Sequence, residues 1–495
     1  MARFRLLVCQ FLLLPVVAVA SWWTPADDER LRHSIQWLAD RGCVSIPVTT
    51  WPIAWADLAL LDDAASACAG SAALTHVQRQ RALATTAPSR VTLALSGATE
   101  PPLWRSFASS PREKAMVSAG VGKSGDRADV FFQISAADAG QNEARFDGSY
   151  LAVAAGNWAL GVGAMDRWWG PGWHSALALS HNARPLPSLF LSRIESRRFD
   201  SVWLGWIGPW HASLFVAQLE QQRKPAGAQL IGMRWTARPV EGLEIGLSRT
   251  LQWAGEGRPR DFTTLFNALI GRDNVVSSGP GADDDPSDQM GGFDARYTLP
   301  FADRRISLYG QMIGEDEAGY LPTNFIAQYG VELGTALGAG QQRWFLEGSN
   351  TMAGGWFLRD SRPLVAYEHS IYETGFRYKG RNMGSTWERD AEVISLGLRQ
   401  FFANGQDLAT TVSHATLNEA DAFRPGSLTP VPPLALAASR QQTAILAIRY
   451  GLPLGDSRIT LAAHTMTDLI ETATGKVDRY RVMASWEYRL ASGAR

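Results

Sequence analysis

The chain has 495 residues and a formal net charge of −1, with 19 Trp, 20 Phe, 11 Tyr and 46 Gly. Near-neutrality excludes a bulk electrostatic pull toward nucleic acid, and beyond residue 20 no run of about 18 apolar residues is present to cross a bilayer as a helix. Abundant aromatics and glycine suit short membrane strands edged by aromatic girdles.

Residues 1–20 read as an export signal. Arg3 and Arg5 start it, residues 6–17 form its apolar core, and Ala18-Val19-Ala20 is a small-residue cleavage site, so the mature chain begins near Ser21. A retained anchor is the minor alternative, because the apolar run is short for a spanning helix. Cys9 leaves with the signal, which leaves Cys43 and Cys68 in an oxidising compartment. Their pairing would stabilise the segment by about 3.5 kcal/mol on the chain-entropy model; two buried free thiols are the alternative.

Residues 21–88 read as a small periplasmic helical region. Thr24 is the expected cap of a first helix beginning at Pro25, with Asp27, Asp28 and Glu29 at its positive end and Leu31, Ile35 and Leu38 on one face. Gly42 ends it. A second segment runs from Thr50-Trp51-Pro52 through Trp55, Leu58, Leu61 and Ala65, and a third from Leu74 through Val77 and Arg81 to Ala84. Three short helices have little core of their own, which favours a disulfide.

From Val91 the period changes from 3.6 to 2. Tyr480, Val482, Ala484, Trp486, Tyr488 and Leu490 alternate with Arg479, Arg481, Met483, Ser485, Glu487 and Arg489 over 12 residues, about the length that crosses a bilayer at a tilt. The same alternation recurs over 243–248, 305–312 and 343–348. Short turns at Gly156-Asn157, Gly208-Pro209, 239–242, 300–304, 338–341, 404–407 and 453–456 alternate with longer polar loops at about 166–200, 252–290, 313–325 and 419–440. Residues 89–495 therefore read as an all-β transmembrane barrel of about 18 antiparallel strands, with short turns on the periplasmic rim and long loops at the cell surface. Between 343 and 402 the up-down parity is inconsistent, which points to a misread segment around 371–378.

Three segments carry chemistry. Trp168-Trp169-Gly170-Pro171-Gly172-Trp173 opens a long loop. Its indoles suit the apolar faces of sugars, with Arg167, His174 and Arg184 as donors to hydroxyl or uronate groups; the competing reading packs these indoles into the barrel mouth. Glu315, Asp316 and Glu317 suit a divalent cation or, alternatively, an internal ion-pair network with lumen arginines. The acidic run Asp283-Asp284-Asp285-Pro286-Ser287-Asp288 lacks the glycine and terminal glutamate of an EF-hand loop and reads as solvated. No G-x-S-x-G or H-E-x-x-H motif occurs, and Gly122-Lys123-Ser124 fails as a phosphate loop because Val117 holds the first glycine position. No metal site, cofactor or enzymatic activity is expected.

Several stretches together resemble the capsule-assembly Wzi family of outer-membrane proteins. They are Asp166-Arg167 with the Trp-rich run that follows, Ser180-His181-Asn182-Ala183-Arg184-Pro185, Gly257-Arg258-Pro259, Gly291-Gly292-Phe293-Asp294, residues 309–317, and the span from Arg41-Gly42 to Trp51-Pro52. The resemblance implies an 18-stranded barrel with a periplasmic N-terminal helical bundle. It also implies a non-enzymatic role in holding capsular polysaccharide on the cell surface. The expected partners are outer-membrane lipid and capsular or extracellular polysaccharide, with the chain a monomer; a porin or export channel is the alternative function.

Overall fold

The computed structural model describes residues 21–61, 68–86, 90–138, 142–269, 287–300, 305–318, 321–354, 361–422 and 431–491. The export signal, the acidic residues 283–286 and most of the turn at 300–304 lie outside them.

Alternation at period 2 gives each strand an apolar and a polar face, and the strands close so that the two faces meet different solvents. The staves in chain order are β1 (Arg90–Ala98), β2 (Ala115–Ser124), β3 (Ala128–Asp138), β4 in two pieces (Asn142–Arg145 and Tyr150–Ala155), β5 (Trp158–Gly163) and β6 (Ser188–Arg193). They continue with β7 (Trp210–Gln218), β8 (Gln229–Val240), β9 (Leu243–Trp253), β10 (Ser287–Leu299), β11 (Arg305–Ala318) and β12 (Leu321–Leu337). The last six are β13 (Gly340–Gly354), β14 (Glu392–Phe401), β15 (Asp407–Leu417), β16 (Gln441–Leu454), β17 (Ser457–Met466) and β18 (Tyr480–Ala491). Each pairs antiparallel with its sequence neighbour, and β18 returns to β1 with Arg90 opposite Ala491, which closes the barrel. With the two pieces of β4 counted as one stave, the described strands make the 18-stave barrel expected from the alternation.

Outward-facing Leu93, Leu95, Val117, Val121, Leu160, Val162, Leu247, Leu308, Ile394, Leu396 and Val482 are exposed, whereas inward-facing Arg234, Arg296, Arg343, Arg399, Glu244, Glu332 and Glu347 are buried. An exterior that would be a large hydrophobic liability in water is the surface a bilayer requires. Trp158, Trp210, Tyr297, Trp344, Trp486 and Tyr488 sit on outward positions toward the short-turn rim, where aromatic rings mark the level of the lipid headgroups.

Three expectations about the connections are corrected. Residues 313–318 and 321–325 are not a loop: β11 and β12 run on as a paired ribbon, with Glu317 opposite Pro322 and Ala318 opposite Leu321. The loop expected at 166–200 contains stave β6, which pairs with β5 and β7. The inconsistent parity near 371–378 arises because those residues belong to the connection between β13 and β14, where Arg377–Tyr378 and Arg381–Asn382 form a short ribbon of their own.

The N-terminal helices are α1 (Glu29–Asp40), a 3₁₀ segment (Trp55–Leu61) and α2 (Ala72–Thr86). The cap of α1 is Asp28, whose carboxylate accepts from the Leu31 N–H, rather than Thr24. Thr24 is occupied elsewhere: its hydroxyl accepts from the Ile53 N–H and its own N–H donates to the Ile53 carbonyl. Gly42, at φ +73°, ends the helix in the left-handed region that glycine adopts without strain. Cys43 and Cys68 are disulfide-bonded, with Cα atoms 6.2 Å apart.

Candidate functional site

Helix α1 is buried except along the line of Arg30 and Trp37, which are half-buried. Leu31, Ile35 and Leu38 pack against Trp51, Trp55, Leu58 and Val77 of the same N-terminal region. Its polar face, which in sequence reads as solvent-facing, is equally buried at Arg32, His33, Gln36 and Asp40 because it lies against the inner, charged faces of the staves. Helix α1 and the segment after it therefore seat inside the short-turn end of the barrel as a plug, and α2 packs on them with an exposed side at Thr75, Arg79 and Ala82.

Ion pairs fix that seat. Asp40 accepts from Arg296 at 2.7 and 3.0 Å and from the Thr298 hydroxyl at 2.9 Å, with Arg343 3.4 Å away. Arg296 also donates to Glu332 at 2.6 Å. Burial by itself would raise the Asp40 carboxyl, but the Arg296 and Arg343 guanidiniums hold it well below the usual carboxylate range. At the other end of α1, Glu29 pairs with Arg399 at 2.9 Å and with Arg449, and these two cations likewise outweigh burial and lower its pKa. Glu244 accepts from the Val48 and Thr49 N–H groups and the Thr49 hydroxyl, and Arg234 forks onto Asp294 at 2.7 and 3.0 Å while donating to Thr50. A carboxylate or guanidinium inside the barrel is costly unless it finds partners, and the plug supplies them to Arg296, Arg399, Arg234 and Glu244.

The loop between β5 and β6 (residues 164–187) descends to meet the plug. Trp168 and Trp169 pair with Trp51 and Thr50 as a two-residue ribbon, and the Gly170 N–H donates to the Thr49 carbonyl at 3.0 Å. The following Gly-Pro-Gly-Trp turn wraps Glu347, which accepts from the N–H groups of Trp173 at 2.8 Å and Ser175 at 3.1 Å and from the Tyr309 hydroxyl at 2.9 Å. A side chain at Gly172 would lie 1.9 Å from Gln328 Nε2 and 2.3 Å from the Ser175 carbonyl, so only glycine lets the turn approach the wall. The Trp173 indole donates to Glu332 at 2.6 Å, and the Arg32 guanidinium stands 4.3 Å over its ring. Arg32 also donates to the Pro171 and Gly172 carbonyls, both at 2.8 Å.

The connection between β13 and β14 closes the lumen from the long-loop side. There Arg377 pairs with Glu368 at 2.7 Å and Glu388 at 2.8 Å, Arg389 pairs with Glu368 at 3.1 Å, and all four side chains are buried. The two loops are bolted together: the Tyr367 hydroxyl donates to the Leu177 carbonyl, the Ser180 N–H donates to the Met383 carbonyl, and the Asn182 amide donates to the Asn382 carbonyl. Among the described residues one cavity, lined by Glu29, His174, Arg399, Arg449 and His464 among others, offers about 80 Å³ to the centres of water-sized molecules.

Trp168, Trp169 and Trp173 are 0, 1 and 0 % exposed, so none turns an indole face outward, and the packing reading is the one their geometry carries. Trp168 packs edge-on to Phe107, Trp169 lies against Phe215, and Trp173 stacks on Phe345. His174 is buried and stacked on Trp387 at 4.8 Å, and burial pushes its pKa down to about 3. Arg167 donates to the Ser188 hydroxyl and lies over the Phe215 ring; burial lowers its pKa to about 10. Only Arg184 reaches toward the long-loop surface, and it forks onto Asp147 at 2.9 and 3.0 Å. Glu315 is buried and accepts from the Tyr367 N–H, which ties β11 to the lumen loop. The side chains of Asp316 and Glu317 lie outside the described residues.

The Wzi family of capsule assembly proteins matches residues 84–474. The chain belongs to that family. An uncharacterized 55.8 kDa protein in the cps region of Klebsiella pneumoniae is 32 % identical over 332 residues, which span 66 % of this chain and 64 % of that protein. The chain thus matches under two thirds of the length of that relative. The solved structure of Escherichia coli Wzi, an outer membrane protein involved in group 1 capsule assembly and a carbohydrate binding β-barrel, matches at a TM-score of 0.80. It is 24 % identical, with 94 % of this chain and 99 % of that one covered, and shows the same fold.

Sequence reasoning did not find the residues that hold the lumen shut: Asp40, Glu244, Arg296, Glu332, Arg343, Glu347, Glu368, Arg377 and Arg389. A signal was present, because several are charges at inward parity on otherwise alternating strands, and such a charge demands a partner. Alternation alone does not say which distant segment supplies it.

Proposed function

We propose that this chain is an outer-membrane barrel that attaches or organises capsular or extracellular polysaccharide at the cell surface without enzymatic activity, acting as a monomer through the outward faces of its long loops. The observation that carries this reading is the lumen filled from both ends. An N-terminal plug and two inward-folded loops, locked by buried ion pairs, remove the passage that a porin or export channel needs, and they leave the outer surface as the place to meet a polymer. Family membership supports the capsule role, as does the description of the Escherichia coli protein as carbohydrate binding. On this reading residues 1–20 are the cleaved export signal, residues 21–88 face the periplasm while plugging the barrel, and the Trp168–Trp173 turn shapes the outer surface from beneath.

A strain lacking the protein should make its polysaccharide but release more of it into the medium, and the purified chain should bind that polysaccharide in solution. Normal retention on the deleted strain, together with steady ion conductance of the purified protein in planar bilayers, refutes the proposal in favour of a channel.

A further inference from the structure

The connection between β6 and β7, residues 194–209, leaves the short-turn rim and is far longer than the two- to five-residue turns beside it. Its first part is fastened to the plug: the Ser196 N–H and hydroxyl both donate to Asp57 of the 3₁₀ segment. Its middle then folds over the outside of the barrel. Trp210 shares a strand face with lipid-exposed Leu214 and Val216, and on that face Phe199 stacks on its ring at 4.7 Å while the Arg193 guanidinium lies 3.6 Å from the ring centre. Trp158, on the same face as Leu160 and Val162, adjoins it at 6.3 Å. Beyond Phe199 the chain presents Val202 at 95 %, Trp203 at 86 % and Trp206 at 68 % exposure, with Leu204 beside them. A one-turn 3₁₀ helix (Gly205–Ile207) holds them, and Arg198 donates to the Gly205 carbonyl.

We propose that residues 199–207 are a lipid anchor. Val202, Trp203, Leu204 and Trp206 enter the headgroup–acyl boundary of the leaflet at the short-turn rim, and Arg193, Arg197 and Arg198 stand at the level of the lipid phosphates. Two observations commit the patch to lipid. It is continuous with the barrel's lipid-facing belt, since its base is the outward face of Trp158 and Trp210, and it lies at the height of the rim aromatics on the other staves, where the headgroups are. Trp in particular favours that boundary, its ring apolar and its N–H wet, and a short segment rich in Trp, Leu and Arg lies in the interface rather than across it. The fastening of Ser196 to Asp57 couples the anchor to the plug, so the membrane surface helps to hold the N-terminal region in the barrel mouth.

The test uses the full-length chain reconstituted in vesicles of phosphatidylethanolamine with a minority of phosphatidylglycerol. A nitroxide is attached at Trp203→Cys or, should that variant refold poorly, at Leu204→Cys. Asp126→Cys, in the exposed turn between β2 and β3 on the same rim, is the aqueous reference. Collision with dissolved oxygen relative to a water-soluble nickel complex should be severalfold higher at position 203 or 204 than at 126. Equal, water-like accessibility at both positions overturns the proposal. So does a label that is water-like in vesicles yet shielded in native outer membranes, which would assign the patch to a protein partner.

Discussion

Replacing Trp173 separates an architectural indole from a sugar-binding one. The side chain is fully buried, stacks on Phe345 with ring centres 6.2 Å apart, donates to Glu332 at 2.6 Å and carries the Arg32 guanidinium on its face. Trp173→Ala removes all three contacts and leaves a cavity, and truncations of that kind cost about 3–5 kcal/mol. Trp173→Phe keeps most of the ring and loses only the donor to a charged acceptor, about 1.5–3 kcal/mol, with Glu332 still held by Arg296 at 2.6 Å. The loss should be local, because the 18 staves keep their ladder hydrogen bonds: the 164–187 loop should lift from Glu347 while the barrel persists. The expected readout is graded, with the urea midpoint of the heat-modifiable band lowest for the alanine variant and intermediate for phenylalanine. Protease cleavage within 164–187 and step conductance in planar bilayers should appear first in the alanine variant. An alanine variant with an unchanged midpoint, intact loop and no conductance, but with polysaccharide lost to the medium, refutes this reasoning and returns the indole to the glycan.

Asp40→Asn should unseat the plug by leaving Arg296 and Arg343 short of a buried partner, a break of the kind that costs about 3–5 kcal/mol; protease access to residues 21–61 in the folded barrel measures it. The lumen histidines set an acid limit. Burial lowers His174 to about 3 and His181 to about 4, below the unfolded value near 6.5, so their neutral-form stability is complete above that value and is lost as pH falls from about 6.5 toward 4. The depressed carboxylates Asp40 and Glu29 add a second loss below the ordinary carboxylate range. Burial raises Asp57 to about 7 and Asp27 to about 6, which opposes the histidine loss over the same window, so the readout is a difference: from pH 7.5 down to 4 the wild-type urea midpoint should fall relative to that of His174→Gln, and a constant difference contradicts the assignment. Reducing the Cys43–Cys68 bond in protein extracted from envelopes should lower the plug's resistance to protease without dissolving the barrel, and thiol labelling before and after reduction reports whether the bond was present.

The parts of the fold legible in the sequence are those encoded over a few residues. The alternation at 243–248 and 480–490 is reproduced as staves β9 and β18 because period 2 is a property of the strand itself, and the N-terminal helices appear where Leu31, Ile35 and Leu38 repeat. Illegible were the places where local pattern and tertiary setting diverge. The run at 313–325 reads as a polar loop, yet residues 313–318 and 321–325 pair as the ends of β11 and β12, with buried Glu315 opposite Asn324 and Ile313 in the lumen core. The stretch at 371–378 carries Tyr372, Phe376 and Tyr378 at spacings that mimic a strand, but these rings pack into the lumen core.

The placement of the plug is the deeper case, and it constrains where binding can occur. Asp40 meets Arg296 across 256 positions of sequence, and Glu29 meets Arg399 across 370. An inward arginine can be met by water in an open pore, by a carboxylate brought from elsewhere in the chain, or by backbone carbonyls, as Arg238 is by those of Ile46 and Ala39. Here Asp40 and Glu29 come from one helix, Glu332 and Asp294 from the staves, and Glu368 and Glu388 from a descending loop, so much of the inner charge is paired from within. Arg32, Arg105, Arg238 and Arg381 are also buried but donate to backbone carbonyls rather than to carboxylates, so the lumen is closed by the plug and the loops rather than by exhaustion of its charge. On the proposed function, recognition that depends on charge or stacking falls to groups that the outer loops leave exposed, and the buried Trp168–Trp173 turn is expected to act on it by fixing the shape those loops take.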